Sequence, residues 1–289
     1  MDWREEYRDQ GFVVVENVLP HDLIDAHIVD VAALLRKYGV FDAAALSALP
    51  MAVDDELMVA VLDLHQEGEA ARGLIFNRII GSLLRQLFEA EPSLAFARSA
   101  LWGPGDMRAH VDTAFRSPEP PYGVCRTWCA LEDIHPESGR FYLLPGSHRS
   151  LAPKLCGEVL AERPDLMALY EQMVLQPQSC DAKSWMRLHN RAWPFVSAKV
   201  ADRIEEAEKV AFQLNKGDIV FFNPSIAHGA FSCADASLTR KMMLCEWTAN
   251  GASDFALSPE ALRSCVRLPL RREDNLVDIG PRIAARAAR

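Results

Sequence analysis

ARSALW (residues 97–102), DMRAHV (106–111), GVCRTWCALEDI (123–134) and RFYLLP (140–145) are short β-type runs set apart by glycine and proline. A stretch of mixed polar and helical character, 150–208, follows them. Strand signals then return in KVAFQL (209–214), DIVFF (218–222), HGAF (228–231) and RKMMLCEWTA (240–249). Strands, a helical insert, then strands that complete the first set: this order predicts a β-sandwich or jelly roll with helices packed outside. The core falls in 95–149 and 209–250. The insert is too long for a bare connector and reads as a lid or an interface element.

Outward from this core, Phe12 to Val15 reads as a strand, and a helix follows over about 20–37. There Leu23, Ile24, His27, Ile28, Val31, Leu34 and Leu35 recur at helical spacing, and Pro20 suits a first turn. Residues 54–90 also read as helical, with Leu57, Val61, Leu64, Leu74, Ile75, Ile79, Leu83, Leu84 and Leu87 as the apolar positions. About 1–92 is thus an N-terminal strand with helices, and 251–289 a C-terminal helix and tail. The whole chain, 1–289, is expected to be a single domain of mainly β character with flanking helices.

Composition narrows the function. The net charge of −9 argues against a nucleic-acid or anionic-membrane binder. Arginines gather only near the C-terminus, from Arg263 to Arg289, as on a solvated helix and tail. The start, MDWREEYRDQ, is too charged for a secretory signal, and no apolar run approaches membrane-spanning length. A cytoplasmic protein, working as a monomer or homodimer on a small molecule, is the expectation. The seven cysteines form no CxxC pair. Cys125 and Cys129, four apart on a strand, share one face. All seven read as reduced packing residues rather than a disulfide framework or zinc site.

Chemistry enters at His110-Val111-Asp112. Residues two apart on a strand point to one side, so an imidazole and a carboxylate can meet at one point. His228, after the strand DIVFF and the turn NPSIA, is the candidate third ligand. Two imidazoles and one carboxylate form the facial triad of non-haem iron(II) oxygenases and leave three positions open; zinc would also accept the set. Arg240, at the start of RKMMLCEWTA, supplies the bidentate cation that the far carboxylate of a chelating 2-oxoglutarate requires.

These blocks together resemble the phytanoyl-CoA dioxygenase family of iron(II)/2-oxoglutarate oxygenases. YRDQGFVVVENVLPHDLIDAH (7–27) looks like the family's first strand and helix, and HVD at 110–112 like its metal motif. Trp128 stands where the family has a tryptophan beside the co-substrate. PGSH (145–148), then Gly217-Asp218, His228 and Arg240, complete the order. The resemblance implies a double-stranded β-helix (jelly roll, cupin-like) core, with Fe(II), 2-oxoglutarate and O2 as the reactants' partners. His110, Asp112 and His228 would hold iron, and Arg240 and Trp128 the co-substrate. Where the family often has a Ser or Thr near the distal histidine, position 230 is Ala, and Ser232 is the nearest substitute. Asp112 separates the chain from related halogenases, which carry a small residue there, and so implies hydroxylation, or a related desaturation or cyclisation, with release of succinate and CO2.

Arg116 and Arg126, close to the metal motif, and Trp185 and Arg191, in the insert, are the candidate substrate contacts, and Arg187, His189 and Trp193 beside them could line the same pocket. Pro145 to His148 read as a structural turn, and His135 as a solvated loop residue. The competing reading is a cupin-type metal protein with non-oxidative chemistry or small-molecule binding, against which Arg240 argues. A non-catalytic scaffold would be expected to have lost one of His110, Asp112, His228 or Arg240.

Overall fold

In the computed structural model, residues 2–37, 57–62, 64–66, 68–100, 107–112, 122–175, 182–235, 237–250 and 282–287 are described. Their strands, numbered in chain order, form two antiparallel sheets. The larger runs β1 (Phe12–Val15), β8 (Ile219–Phe222), β5 (Val124–Ala130), β10 (Met242–Ala249), β3 (Pro92–Ala100), β2 (Leu57–Leu62), β11 (Arg282–Ala287). The smaller runs β4 (Met107–His110), β9 (His228–Ala230), β6 (Phe141–Leu143), β7 (Val210–Ala211).

Strand β10 shows how the layers are made. All of its residues are buried, because both faces of its sheet are covered. Met243, Cys245 and Trp247 face a cluster that includes Tyr7, Ile24, Leu74 and Leu84. Those four come from α1 (Trp3–Gln10), α2 (His21–Lys37), α3 (Glu69–Ile75) and α4 (Arg78–Phe88). Met242 and Leu244 turn the other way and meet Trp128, Phe222 and, from the smaller sheet, Phe141 and Leu143. The two sheets therefore pack face to face, and the site lies between them. Burying a side chain as large as Trp247 or Phe141 contributes about 1.5–3 kcal/mol.

Helix α4 illustrates the local logic. Ile80, Leu84 and Leu87 recur at helical spacing and are buried. Asn77 caps the N-terminus, its side-chain oxygen accepting from the Ile79 N–H at 2.8 Å. At the end of α1, Gly11 takes φ +88° and its N–H donates to the Tyr7 carbonyl, a left-handed stop that a side chain would strain.

The insert is a helical layer: α5 (Leu151–Glu162), α6 (Pro164–Leu175) and α7 (Ala182–Ile204). Leu155, Val159, Leu188, Ala192 and Val196 pack on the outer face of the smaller sheet, against Ala109, Val111, Tyr142 and Ala227.

Two stretches differ from the sequence-based expectation. Within 54–90, Leu57–Leu62 is strand β2 rather than helix, and helices begin only at Glu69 beyond a short 3-10 turn, Leu64–Gln66. LMVAVL is a six-residue apolar run, in which helical and strand periods coincide. In the C-terminal helix and tail expected over 251–289, Arg282–Ala287 is strand β11, paired with β2. Its alanine-rich sequence, RIAARA, favours helix locally, and pairing with β2 overrides that weak preference. Among the described residues no helix is long and apolar enough to cross a membrane.

Candidate metal centre and co-substrate pocket

The register of the smaller sheet brings the two imidazoles together. His110 of β4 and His228 of β9 are direct Cα partners, and their ring centroids lie 4.3 Å apart. Beside His228, Gly229 leaves no room for a side chain: a Cβ there would lie 2.5 Å from the Tyr142 hydroxyl and 2.7 Å from the Met107 carbonyl. Asp112 follows β4, its backbone N–H donating to the Pro224 carbonyl at 3.0 Å, so the turn that leads to His228 also fixes the carboxylate.

Each ring is tied at Nδ1. His110 Nδ1 lies 2.9 Å from the Arg108 carbonyl and His228 Nδ1 2.9 Å from the Ile226 carbonyl. A carbonyl only accepts, so both Nδ1 atoms carry the proton and both Nε2 atoms present lone pairs. Those lone pairs converge on Asp112, at 3.6 Å for His110 and 3.2 Å for His228. One ligand atom from each of the three residues lies within 4.8 Å of the other two. Two lone pairs and a carboxylate aimed at one point, with the imidazoles oriented by backbone acceptors, fit a divalent metal ion.

The surroundings hold the centre electrostatically. Burial by itself raises the Asp112 pKa, but the Arg126 guanidinium beside it outweighs burial and keeps the carboxyl well below its usual range. Burial pulls the His228 pKa down, which also favours the neutral, ligating ring. The Arg126 Nη1 lies 2.5 Å from Asp112 Oδ2, while Nη2 and Nε lie 2.6 and 2.8 Å from Glu246 Oε2. Arg126 and Glu246 are cross-strand partners in β5 and β10. Among the candidate substrate contacts, then, Arg126 is committed to a metal ligand and to Glu246.

Other candidates fall elsewhere. Arg191 is exposed on α7 and pairs with Asp165 at 2.6 Å. Arg116 lies outside the described residues, as does the side chain of Trp185. Ser232 is exposed on the loop after β9. His148 is buried away from the metal ligands, its Nε2 donating to the Arg8 carbonyl at 3.1 Å. The PGSH turn steadies the distal ligand instead. Ser147 Oγ accepts the Ala227 N–H at 2.8 Å and donates to the Leu144 carbonyl at 2.7 Å.

Trp128 and Arg240 lie on the inner wall. Trp128 is stacked on Phe141, with ring planes 1° apart and centroids 5.7 Å apart. Phe141 and Phe222 also present edges to His228, so the distal ligand has a dry apolar border. Arg240 is 3% exposed, and burial lowers its pKa to about 10. Its Nη1 donates to the Gly139 carbonyl, and its Nε is buried with no partner. A buried guanidinium with spare donors is suited to bidentate capture of a carboxylate.

Arg98 escaped the sequence reading, and Trp193, expected only as a pocket-lining residue of the insert, is tied to the backbone of the metal motif. Trp193 of α7 donates its indole N–H to the Val111 carbonyl at 2.9 Å and meets the His110 ring edge-on at 5.7 Å. Arg98 of β3 sits in register with Leu244, itself the partner of Trp128. Only sheet register or tertiary packing reveals either one.

Comparison with known proteins agrees with this geometry. Residues 7–241 match the model of the family described as phytanoyl-CoA dioxygenase (PhyH). The peroxisomal phytanoyl-CoA dioxygenase of Rattus norvegicus is 21% identical over 243 residues, covering 80% of this chain; the chain spans 63% of that relative's length. Among solved structures, the alpha-ketoglutarate-dependent carbocyclase SnoK is 17% identical, with a TM-score of 0.60 over 99% of this chain and 95% of that one. The epimerase SnoN, solved in complex with Fe3+, alpha-ketoglutarate and nogalamycin RO, is 17% identical, with a TM-score of 0.59 over 94% of this chain and 95% of that one. EctD from S. alaskensis, solved with bound Fe, is 16% identical, with a TM-score of 0.56 over 94% of this chain and 86% of that one. These structural likenesses speak for the cupin-type jelly-roll fold. With the family model matched across most of its length, this chain belongs to the phytanoyl-CoA dioxygenase family.

Proposed function

We propose that the protein is an Fe(II)- and 2-oxoglutarate-dependent oxygenase that hydroxylates a C–H bond of a small organic molecule. The observation that carries this reading is the convergence of the two Nε2 lone pairs on Asp112, with both Nδ1 protons tied to backbone carbonyls. When bound, iron supplies the activation of O2: one oxygen atom enters succinate as 2-oxoglutarate loses CO2, and the other enters the product alcohol.

The chain's own residues bind, orient and exclude. His110, Asp112 and His228 would hold the metal, through two Nε2 atoms and the carboxylate. Arg126, gripped by Glu246, fixes the Asp112 carboxylate. Arg240 receives the far carboxylate of 2-oxoglutarate, and Trp128 on Phe141 walls that side. Phe222 and Phe141 keep water from His228. Because Asp112 keeps its carboxylate, no ligand position is vacated for halide, which favours hydroxylation over halogenation.

The test is aerobic turnover of 2-oxoglutarate by purified protein loaded with Fe(II), read as succinate formed. Slow succinate formation without substrate, abolished in His110→Ala and Asp112→Ala, is expected. Undiminished succinate in either variant, or none from the wild type with any metal, would sink the reading.

A further inference from the structure

The inner wall of the larger sheet carries more positive charge than the metal centre uses. Arg98, Leu244, Trp128 and Val220 form one cross-strand row over β3, β10, β5 and β8. The next row along holds Phe96, Glu246, Arg126 and Phe222. Neighbouring Ser99 turns outward, its hydroxyl 2.8 Å from His27 Nε2 on α2, so Arg98 turns inward, toward the site.

The charges there do not balance among the described residues. Among the described residues the pocket holds three guanidiniums, Arg98, Arg126 and Arg240, against two carboxylates, Asp112 and Glu246. Arg126 engages both carboxylates. A divalent metal and the dianion of 2-oxoglutarate cancel each other, and Arg240 takes one end of that dianion. Arg98 is left over. No described carboxylate forms an ion pair with it, and its Nε is buried without a hydrogen-bond acceptor. Burial and the nearby Arg126 both lower its pKa, and Asp112 alone opposes them. Arg240 is close enough to feel its charge as well. A half-buried cation left this way, with its Nε shielded from water, gains stability from a ligand that pairs with it.

We propose that Arg98 is the anchor for a carboxylate, or an equivalent single negative charge, on the substrate itself. It would then set both the substrate class, organic monoanions, and the direction from which the reacting carbon approaches the metal. This rests on the oxygenase reading above. It assigns to β3 the recognition role that arginines beside the metal motif and in the insert were expected to play.

The experiment uses protein loaded with Fe(II) and 2-oxoglutarate under argon, whose metal–keto acid chelate absorbs visible light. Benzoate, phenylacetate and hexanoate are titrated against their uncharged amides, with the change in that absorption as readout. The acids are expected to act at concentrations lower by about tenfold or more, the size a charge-assisted hydrogen bond implies. Arg98→Gln should erase this preference while shifting the 2-oxoglutarate midpoint less than about threefold, one side of a hydrogen bond's worth. Arg98→Met, which removes the unpaired charge, should leave the metal-free protein with an equal or higher melting temperature. Equal action of acids and amides on the wild type overturns the proposal. So does an Arg98→Gln defect in 2-oxoglutarate binding as large as that of Arg240→Gln, or a lowered melting temperature in Arg98→Met. If the wild type never develops the chelate absorption, the oxygenase reading fails, and the assignment of Arg98 falls with it.

Discussion

His110 and His228 face each other as direct partners across β4 and β9, although they lie far apart in the chain. The metal centre therefore depends on one strand pairing, and removing either ring should empty it. Purified His228→Ala is expected to contain less than about a tenth of the wild-type iron by elemental analysis, as loss of one of three ligands implies. Retention of full stoichiometry would move the centre elsewhere.

Arg126 holds Asp112 at 2.5 Å and through it would act on a bound metal. Groups that orient a ligand typically contribute about 10–100-fold in metal affinity. Arg126→Met should weaken iron binding by that order in competition with a chelator, and Arg126→Lys should recover only part, since an ammonium cannot bridge Asp112 and Glu246 as a fork. An unchanged affinity would reduce Arg126 to a structural cation.

The bond from Trp193 to Val111 predicts a coupling between insert and centre. Trp193→Phe keeps the ring but leaves the carbonyl unpaired, at a cost of about 1–3 kcal/mol. A lower melting temperature together with weaker iron binding is expected. A drop in stability alone would mean that the contact packs the insert without positioning His110.

His27 makes stability depend on pH. It is fully buried, and burial lowers its pKa to about 4 from 6.5. As pH falls below 6.5 the unfolded chain takes up a proton that the folded ring refuses until about 4. Stability is thus complete above pH 6.5 and declines toward pH 4, by about 3 kcal/mol at most. In urea titrations of the metal-free protein, His27→Gln should flatten this acid limb while keeping the Ser99 partner. A limb as steep as the wild type's would place the acid sensitivity in other groups.

Cys125 and Cys129 point from β5 into the helical side of the sheet, and burial pushes both thiols up to about 12. Iodoacetamide should label neither in the native protein and both in denaturant, as read by peptide mass. Native labelling at either site would contradict the packing of α1 against the sheet.

The sequence made the strand order of the core legible because β5, β8 and β10 are apolar runs bounded by glycine, proline and polar turns. It also made His110, Asp112 and His228 legible, because an imidazole and a carboxylate two apart on a strand must share a face. What stayed hidden was set by register. Glu246 grips Arg126 and Arg98 joins the pocket only because β10 lies between β3 and β5 in one alignment, which local periodicity does not encode. Strands β2 and β11 were illegible for a different reason: LMVAVL suits helix and strand alike, and RIAARA becomes a strand only through its partner.

The Trp193 contact also bears on how members of this family can diversify. The helices over 150–208 look like an exchangeable cassette, since they lie on the outer face of the smaller sheet. Yet one of them donates to the peptide carbonyl between two ligand residues. A chimera that imports this segment without an indole or equivalent donor at that point imports a defect in the reaction centre. Recombination at this boundary is therefore constrained to travel with that one residue as well as with the apolar faces of α5 and α6 that pack in the same cluster as the sheet.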